Sequence, residues 1–511
     1  MAPTRRPPDG PRDRRIRTAA IANLGCKVNQ SEMEGAARRL RALGIEIVDG
    51  DRPADLVLVN TCTVTAEADA KSRHAVRRAR RASPEAPIVV TGCSVQVDPA
   101  AFAAADPDAR LVDNRGKDAL LAEIEALIGA GPALDAGPTA GSGGGVVAAA
   151  LPTLSGVEIE GISDERASVE RTRAFVKVQD GCSFFCTYCI IPTARGSERS
   201  LTADAVLADV RRALAAGHRE IVLTGINIGT YDGGWSERGA RGVHTRSTLT
   251  LAGLVRRLLD ETPVERLRLS SIEPQHVNDE LLRVWADGAP RTMPHLHLPL
   301  QSGDDGVLRR MGRRYVYGDY ARVVERARAA IPGVAIHGDA IVGFPTEDEA
   351  AWGRSLGFIR SVEFAGLHVF RYSARPGTPA TRMAGQVEER VKKARAAELL
   401  AVAADARAGW AARRLASGRD ADVLFETRLD DGRWAGHAAD HTLVAAEGPD
   451  GVPLDNAIGR IRLVAVDAVR PDRLVGRVLS VSRAGASSLA RALPVVHRAA
   501  PSPTGGFAHA R

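Results

Sequence analysis

The sequence has little cysteine and no long hydrophobic run. Six cysteines in 511 residues are too few for a disulfide scaffold, so their positions matter more than their number. No uninterrupted apolar run approaches the roughly 20 residues of a membrane-spanning helix. Segment 1–17 is rich in proline and arginine and lacks the apolar core of a signal peptide. These absences exclude a disulfide-stapled secreted module and a membrane-spanning protein, and we expect a cytoplasmic enzyme.

The remaining composition is ordinary for a folded protein. Hydrophobic residues make up 44% of the chain and charged residues 26%, which excludes global disorder. A length of 511 residues exceeds that of a typical domain, so we expect two or three domains. The formal net charge of +7 permits a nucleic-acid partner without requiring one.

The first 130 residues show alternating strand and helix patterns. Buried-type strands are predicted at 18–24, 56–60 and 88–91, and helices at 31–43, 66–82 and 117–128, with Ser31 as a possible cap of the first helix. This βα repeat predicts an open parallel sheet and an α/β fold class.

Three scattered cysteines follow the ends of these predicted strands. They are Cys26, Cys62 and Cys93. In an open parallel sheet the carboxyl ends of the strands form one edge, where ligands bind. The sequence therefore predicts that the three thiols meet in one cleft. The alternative is three unrelated buried cysteines.

The rest of the chain divides into further units. Strand-like runs at 174–179, 220–224, 266–271, 295–300, 334–342 and 366–370 alternate with helices and fit a partial or complete (β/α)6 barrel. Short alternating strands within 422–481 indicate a small β-barrel. The predicted divisions are a disordered basic tail (1–17), an N-terminal domain (18–130), a flexible linker or insertion (131–171), the barrel core (172–385), a connecting helix (386–414), the small β-barrel (415–485) and a disordered tail (486–511).

A second group of cysteines lies just after the first strand of the barrel core. Cys182, Cys186 and Cys189 have the spacing Cys-x3-Cys-x2-Cys. Three thiolates on one tight loop can hold three irons of a [4Fe-4S] cluster and leave the fourth iron open to a ligand. Structural zinc would require a fourth protein ligand, which the loop lacks. Unmetalled thiols this close together would oxidise or bind metal.

This spacing, with Tyr188 inside it, resembles the signature of the radical S-adenosylmethionine superfamily. The resemblance implies a cluster on the three cysteines, S-adenosylmethionine on the open iron, and Tyr188 near the adenine. Segments 224–227, 270–274, 297–303 and 339–347 also resemble that superfamily. The cofactor contacts that these segments imply are Gly225, Asn227, Ser271, Glu273 and Gln301. Taken singly, each segment is as well explained by turn glycines or strand-terminating prolines.

The stretches around the scattered cysteines resemble the methylthiotransferases of that superfamily, and the resemblance spans residues 20–382. It implies that Cys26, Cys62 and Cys93 hold a second [4Fe-4S] cluster, whose open iron carries the sulfur that is transferred. The first cluster would cleave S-adenosylmethionine to a radical, and a second S-adenosylmethionine would donate the methyl group, so all six cysteines would be catalytic. Radical chemistry suits this reaction because acid–base side chains cannot replace an unactivated C–H bond.

Branches of this family modify an adenosine beside the anticodon of tRNA or an aspartate of a ribosomal protein. Runs 24–30 and 60–65 most resemble the MtaB-type branch, which acts on C2 of N6-threonylcarbamoyladenosine 37. The alternatives are N6-isopentenyladenosine 37, the ribosomal protein, and a non-catalytic iron–sulfur protein that binds RNA. The resemblance also implies the tRNA anticodon loop as a partner and an electron donor such as flavodoxin or ferredoxin.

Two clusters of cations favour RNA as the partner, since basic residues without nearby acids are typical of phosphate contacts. A solvated helix face explains them equally well. The clusters are Lys71, Arg73, Arg77, Arg78, Arg80 and Arg81, and Arg309, Arg310, Arg313 and Arg314.

The C-terminal β-barrel resembles a TRAM domain, a small module that binds RNA in this family. Residues 422–483 include eight basic and ten acidic residues, with only Phe425 and Trp434 as aromatics that could stack on bases. These numbers favour docking or orienting of the tRNA over a dominant grip on it.

Overall fold

The computed structural model describes residues 16–49, 52–114, 120–129, 172–238, 243–246, 248–448 and 453–482. The predicted linker 131–171 and C-terminal tail 486–511 lie outside the described residues, as does nearly all of the predicted N-terminal tail. The described chain is an α/β protein with an N-terminal parallel sheet, a central parallel β/α unit and a small C-terminal barrel, as predicted. None of its described helices combines the length and the apolarity needed to cross a membrane.

Five parallel strands form the N-terminal sheet, in the order β2-β1-β3-β4-β5. The strands are β1 (Thr18–Asn23), β2 (Glu46–Asp49), β3 (Leu56–Thr61), β4 (Ile88–Gly92) and β5 (Arg110–Val112). The helices are α1 (Lys27–Ala42), α2 (Ala66–Ala82), α3 (Cys93–Val97), α4 (Pro99–Ala103) and α5 (Leu120–Gly129).

The central strand β3 is buried on both faces because helices cover both sides of the sheet. Val57 and Val59 pack into the core on the α2 side, whereas Leu56 and Leu58 pack into the core formed with α1 and α5. This two-sided burial explains why the strands are continuous hydrophobic runs in the sequence.

Helix α1 corrects one prediction, because it begins at Lys27 rather than at Ser31. Cys26 occupies the N-cap position, and no side chain caps the helix there. Val28 and Asn29 are buried against the sheet, so tertiary packing starts the helix one turn before the residue that capping preference selects.

The central unit has six parallel barrel strands in two sheets, β12-β9-β6 and β13-β14-β15. Isolated bridges from Leu267 to Thr292 and from Ser271 to His297 join the two sheets into a partial barrel. The barrel strands are β6 (Arg173–Lys177), β9 (Glu220–Thr224), β12 (Arg266–Leu269), β13 (His295–His297), β14 (Ala335–Val342) and β15 (Gly366–Arg371). Two separate antiparallel pairs lie in the connections: β7 (Gln179–Asp180) with β8 (Arg199–Ser200), and β10 (Trp235–Arg238) with β11 (Val243–Arg246).

Helices cover the outer face of these strands. They are α7 (Ala203–Ala215), α8 (Leu251–Glu261), α9 (Asp279–Asp287), α10 (Asp305–Arg310), α11 (Tyr317–Ala330) and α12 (Glu349–Val362). The short helix α6 (Ile191–Arg195) instead faces the N-terminal domain. On β13, Leu296 packs into the helix-covered core. Because strand residues alternate between faces, His295 and His297 therefore point to the inner face of the barrel.

A long helix, α13 (Glu389–Ala416), joins the central unit to the C-terminal barrel. Leu399 packs into the core of the central unit, and Ala411 packs into the core of the C-terminal barrel. That barrel is closed, in the order β16-β17-β18-β20-β19. Its strands are β16 (Ala421–Arg428), β17 (Trp434–Ala438), β18 (Leu443–Glu447), β19 (Ile458–Val466) and β20 (Arg473–Ser482).

The C-terminal barrel docks on the central unit through arginines of two central-unit strands, β6 and β12. Arg266 Nη1 donates to Asp422 O at 3.0 Å, and Arg173 Nε pairs with Glu426 at 2.9 Å. These contacts hold the small barrel against β6 and β12.

Candidate functional site

The cysteine loop of the central unit runs from β7 to α6. Its backbone is compact, since Cys182 N donates to Gly196 O at 3.1 Å and Cys189 N donates to Cys186 O at 2.9 Å. Cys186 is buried, and Cys182 and Cys189 are half-buried. Burial, together with Cys186 and Cys182, raises the pKa of Cys189 to about 12. Three thiols on one compact loop suit a metal cluster, because a bound metal deprotonates its thiol ligands.

Tyr188 lies within this loop and is partly buried. Its ring packs edge-on against Phe344, with 6.3 Å between ring centroids. The structure therefore places Tyr188 beside the cysteines, and its contact with adenine remains a prediction.

Arg313 links the loop to Glu273, which follows β12. Its guanidinium forms an ion pair with Glu273, and Nη1 lies 3.5 Å from Cys186 Sγ. Burial raises the pKa of Glu273, and Arg313 opposes that rise. The side chain of Arg313 is only 3% exposed, so its assignment to an exposed phosphate-binding cluster is wrong. The sequence shows four neighbouring cations but not the buried acid that faces one of them.

Gly225 and Asn227 follow β9 and approach the start of the cysteine loop. A Cβ on Gly225 would lie 2.8 Å from Gln179 O, so only glycine fits this close approach. Asn227 N donates to Gln179 Oε1 at 2.8 Å. The Asn227 side chain is buried, yet neither its oxygen nor its nitrogen has a hydrogen-bond partner among the described residues. A buried unpaired amide indicates a missing polar ligand, which fits the predicted cofactor.

Ser271 and Gln301 lie on the rim of the barrel, at the carboxyl ends of β12 and β13. Ser271 pairs with His297 across the gap between the two sheets. Gln301 N donates to Asp339 O at 2.8 Å, with φ at +69°. Both contacts hold the barrel together through the main chain, so cofactor binding by these two side chains remains a prediction.

The three scattered cysteines lie at one edge of the N-terminal sheet. Cys26 lies at the N-cap position of α1, Cys62 follows β3, and Cys93 begins α3 directly after β4. Burial, with contributions from Cys93 and Cys26, raises the pKa of Cys62 to about 11. Cys26 Sγ also lies 3.9 Å from Asn29 Oδ1, and Arg195 contacts both Asn29 and Cys93. Three thiols from distant points of the sequence therefore lie at one edge of the sheet, as their positions at strand ends predict.

Arg195 joins the two cysteine trios, and the sequence analysis missed it. This residue ends α6, six residues after Cys189, and its side chain is only 1% exposed. Its Nε donates to Cys93 Sγ at 3.3 Å. The rest of the guanidinium pairs with Glu32 at 3.1 Å and Asp180 at 2.9 Å. One buried arginine of the loop that carries Cys182, Cys186 and Cys189 therefore contacts Cys93 of the other trio.

Two asparagines support this junction. Asn29 accepts a hydrogen bond from Arg195 and donates to Thr61 O at 3.0 Å. Asn114 Nδ2 donates to Ala194 O at 2.7 Å and lies 3.5 Å from Cys93 Sγ. Asn29 lies in the motif quoted for Cys26, but its partner could not be read from that motif.

A segment after β15 holds the Cys62 loop from the other side. Arg375 Nη2 donates to Thr63 Oγ1 at 2.7 Å and forms an ion pair with Asp69. Asp69 also accepts from Ser94 Oγ at 2.6 Å, next to Cys93. Arg375 thus ties two cysteine-bearing segments of the N-terminal sheet to the central unit, and the sequence analysis missed it too.

The inner face of the barrel carries paired ionisable side chains. Glu220 accepts from Arg266 Nε at 2.8 Å and from Arg268 Nε at 2.7 Å. Asp339 accepts from His297 Nε2 at 2.9 Å and from His368 Nδ1 at 3.0 Å. Each carboxylate is therefore matched by two basic groups.

Lys27 points from α1 toward this inner face. Lys27 is solvent-exposed, yet partial desolvation and the charges of Arg173 and Arg268 lower the pKa of its ammonium, while Asp339 and Cys26 oppose that effect. The ammonium has neither a hydrogen bond nor an ion pair within the part of the chain that the structure describes. An unpaired ammonium near two guanidiniums attracts an anionic group.

The predicted RNA-binding features are only partly available at the surface. On α2, Arg80 pairs with Asp106 at 2.9 Å and also donates to two backbone carbonyls, so it is structural. Arg77 and Arg81 are exposed. In the C-terminal barrel, Phe425 and Trp434 are both buried, and neither can stack on a base.

Comparisons with known proteins agree with this geometry. One matching family model is described as "Uncharacterized protein family UPF0004" and matches residues 18–113; the other, "Radical SAM superfamily", matches residues 176–359. A threonylcarbamoyladenosine tRNA methylthiotransferase MtaB from Bacillus subtilis (strain 168) is 37% identical over 385 residues, which is 75% of this chain and 80% of the relative.

Other relatives cover even more of the chain. A protein with the same name from Thermotoga maritima is 35% identical over 83% of this chain and 89% of its own. A tRNA-2-methylthio-N(6)-dimethylallyladenosine synthase from Maricaulis maris is 33% identical over 91% of this chain and 98% of its own. Among solved structures, the radical S-adenosylmethionine methyltransferase TsrM from Kitasatospora setae matches with a TM-score of 0.49 and 17% identity, over 71% of this chain and 75% of that one.

The superfamily match implies S-adenosylmethionine and a [4Fe-4S] cluster as cofactors. The names of these relatives describe enzymes that modify tRNA. The resemblance that the cysteine motifs predict is confirmed, and the chain belongs to the radical S-adenosylmethionine tRNA methylthiotransferase family.

Proposed function

We propose that this chain methylthiolates C2 of N6-threonylcarbamoyladenosine at position 37 of tRNA, with one [4Fe-4S] cluster on each cysteine trio. The observation that carries the proposal is the junction at Arg195. This buried guanidinium contacts Cys93 and belongs to the loop of Cys182, Cys186 and Cys189. Two clusters that act on one carbon must be close to each other, and this junction supports such an arrangement.

The residues of the central unit suit a bound cofactor. When bound, the cluster and S-adenosylmethionine supply the radical chemistry that replacement of an unactivated C–H bond requires. Asn227 offers a buried amide for the polar end of the cofactor. Glu273 is held in place by Arg313. An electron donor such as flavodoxin or ferredoxin would reduce the cluster.

The substrate assignment is supported by the relatives and by charge. The relatives from Bacillus subtilis and Thermotoga maritima are named for threonylcarbamoyladenosine. A threonylcarbamoyl group carries a carboxylate, whereas a dimethylallyl group is uncharged and apolar. Lys27 offers an unpaired ammonium close to Cys26, with Arg173 and Arg268 nearby. This arrangement favours the anionic substrate.

The dimethylallyl nucleoside is the second candidate, because the relative from Maricaulis maris carries that name and aligns over nearly its whole length. Mass spectrometry of tRNA nucleosides from cells with and without the gene separates the two. We expect loss of 2-methylthio-N6-threonylcarbamoyladenosine and accumulation of its unthiolated form. Loss of the methylthiolated dimethylallyl nucleoside instead would transfer the assignment to the second candidate. An unchanged tRNA profile would point to a ribosomal protein.

Two cysteine variants test the division of labour between the trios. Cys186→Ala should abolish cleavage of S-adenosylmethionine to 5′-deoxyadenosine, because it removes a ligand of the cluster on Cys182, Cys186 and Cys189. Cys62→Ala should spare that cleavage and stop methylthiolation. If Cys62→Ala still methylthiolates tRNA, the sulfur-donor role of Cys26, Cys62 and Cys93 is wrong. If the wild-type chain cleaves no S-adenosylmethionine, the chain is a non-catalytic iron–sulfur protein.

A further inference from the structure

Three histidines outside the cysteine sites face one another where the C-terminal barrel meets the central unit. His295 begins β13, His337 lies on β14, and His441 lies in the turn between β17 and β18. One ring nitrogen of each histidine lies within 4.8 Å of the corresponding nitrogens of the other two. We call these residues the histidine trio.

The three rings of the trio contact one another pairwise, two pairs edge-on and the pair of His295 and His441 stacked. The centroids of His295 and His337 are 4.6 Å apart at an interplanar angle of 72°. Those of His295 and His441 are 4.8 Å apart at 28°, and those of His337 and His441 are 5.5 Å apart at 81°. Imidazole nitrogens around a tetrahedral zinc ion lie roughly 3.3 Å apart, given Zn–N bonds of about 2.0–2.1 Å. A bound metal would therefore have to draw together ring nitrogens that lie within 4.8 Å of one another.

His295 is the member of the trio whose ring nitrogens lack hydrogen-bond partners among the described residues. Its side chain is buried, with only 4% of the residue exposed. Neither Nδ1 nor Nε2 has a hydrogen-bond partner among the described residues. Buried ring nitrogens are ordinarily hydrogen-bonded or bound to metal. Since no described side chain satisfies either nitrogen, His295 points to a missing ligand.

Among the cations near the trio, Arg268 and Arg173 are paired with acids, whereas Lys27 has no ion pair among the described residues. Arg268 pairs with Glu220, and Arg173 pairs with Glu426. Arg173 Nη1 also lies 3.2 Å from His441 Nε2, and a metal on that nitrogen would replace this one contact. Burial lowers the pKa values of the three imidazoles and so favours the neutral rings that bind metals.

We propose that His295, His337 and His441 form a site for a divalent transition metal of the zinc class, distinct from both cysteine trios. Three imidazoles with a fourth open position suit zinc and its spectroscopic substitute cobalt. Because His441 belongs to the C-terminal barrel and the other two belong to the central unit, the metal ties the two together. The site therefore fixes the orientation of the small barrel.

A neighbouring group provides the matched control. His297, Asp339 and His368 also place three possible ligand atoms within 4.8 Å of one another. There, however, Asp339 accepts hydrogen bonds from both histidines, so all three side chains already have partners. His368 is exposed and lies outside the trio.

Equilibrium dialysis of the full-length protein with its clusters against Zn²⁺ tests the site. Metal content is measured by inductively coupled plasma mass spectrometry in wild type, His441→Asn, His295→Asn and His368→Asn. We expect His441→Asn and His295→Asn each to hold about one zinc ion fewer than the wild-type protein, and His368→Asn to hold as much zinc as the wild type. Zinc bound by cysteines is the same in all four proteins, so the difference belongs to the trio.

Equal zinc in all four proteins would overturn the proposal, as would loss of zinc in His368→Asn alone. Should both trio variants fail to fold, the wild-type chain reloaded with Co²⁺ decides the matter. Ligand-field bands of nitrogen-coordinated tetrahedral cobalt would support the site. A Co²⁺ spectrum with only sulfur-to-metal charge transfer would refute it.

Discussion

Removal of the Arg195 charge should destabilise the junction between the two cysteine trios more than any comparable surface change. Arg195→Met keeps most of the volume but leaves Glu32 and Asp180 without their main partner. Breaking a buried ion pair from one side costs about 3–5 kcal/mol. Lys177 stays close to both acids, at 3.4 Å and 3.5 Å, and offsets part of that loss. We therefore expect about 3 kcal/mol, or roughly two orders of magnitude in the folding equilibrium.

Urea unfolding of the full-length protein measures this effect as a shift of the midpoint at unchanged slope. Arg322→Met is the control, because its ion pair with Asp319 is exposed and should contribute at most about 1 kcal/mol. Glu32→Gln should cost less when Arg195 is already replaced, since the two charges act as a unit. A shift below about 0.5 kcal/mol for Arg195→Met would refute the view that buried charge compensation holds this junction.

Three further predictions concern the surroundings of the site. Gly92→Ala should lower stability in thermal unfolding by about 1–3 kcal/mol, because φ of Gly92 is +108° and a Cβ there would lie 2.5 Å from Thr61 N. The control Gly353→Ala should be neutral or stabilising in that assay, because Gly353 lies in α12 with open space around its Cβ position. Arg375→Met should lower bound iron by roughly half while S-adenosylmethionine cleavage persists, because it frees the Cys62 loop and not the other trio; full iron retention would contradict this. Lys27→Met should raise KM for threonylcarbamoylated tRNA with iron content unchanged, and an unchanged KM would remove Lys27 from substrate recognition.

Sequence patterns predict those parts of the fold that depend on local chemistry. Helix α2 begins at the predicted residue because Thr65 accepts a hydrogen bond from Ala68 N and caps it, and it ends at Ala82, also as predicted. The parallel sheet follows from continuous hydrophobic strands, and the meeting of Cys26, Cys62 and Cys93 follows from their places at strand ends. Strands β2 and β5 were not predicted, because four and three residues give too short a pattern.

Long-range partners explain what the sequence could not show. Arg195 meets Glu32 across 163 residues, and no local pattern marks an arginine whose acid lies so far away. Arg313 resembles a phosphate-binding residue beside three other cations until Glu273, 40 residues away, is placed against it. The histidine trio combines residues from two strands and one turn that are far apart in the sequence, so spacing alone does not reveal it.

The distance between the two cysteine trios depends on tertiary contacts alone, because they belong to separate stretches of the chain. Arg195 and Asn114 fix Cys93 against α6, while Arg375 fixes the Cys62 loop from the end of the barrel. Cys26 is held through its helix, because Arg195 bonds Asn29 and Glu32 of α1, and it is the exposed member of its trio. A substrate that enters between the trios therefore meets a more buried side, at Cys62 and Cys93, and an accessible side, at Cys26 and Lys27. Discrimination between an anionic and an apolar adenosine substituent should arise on the accessible side.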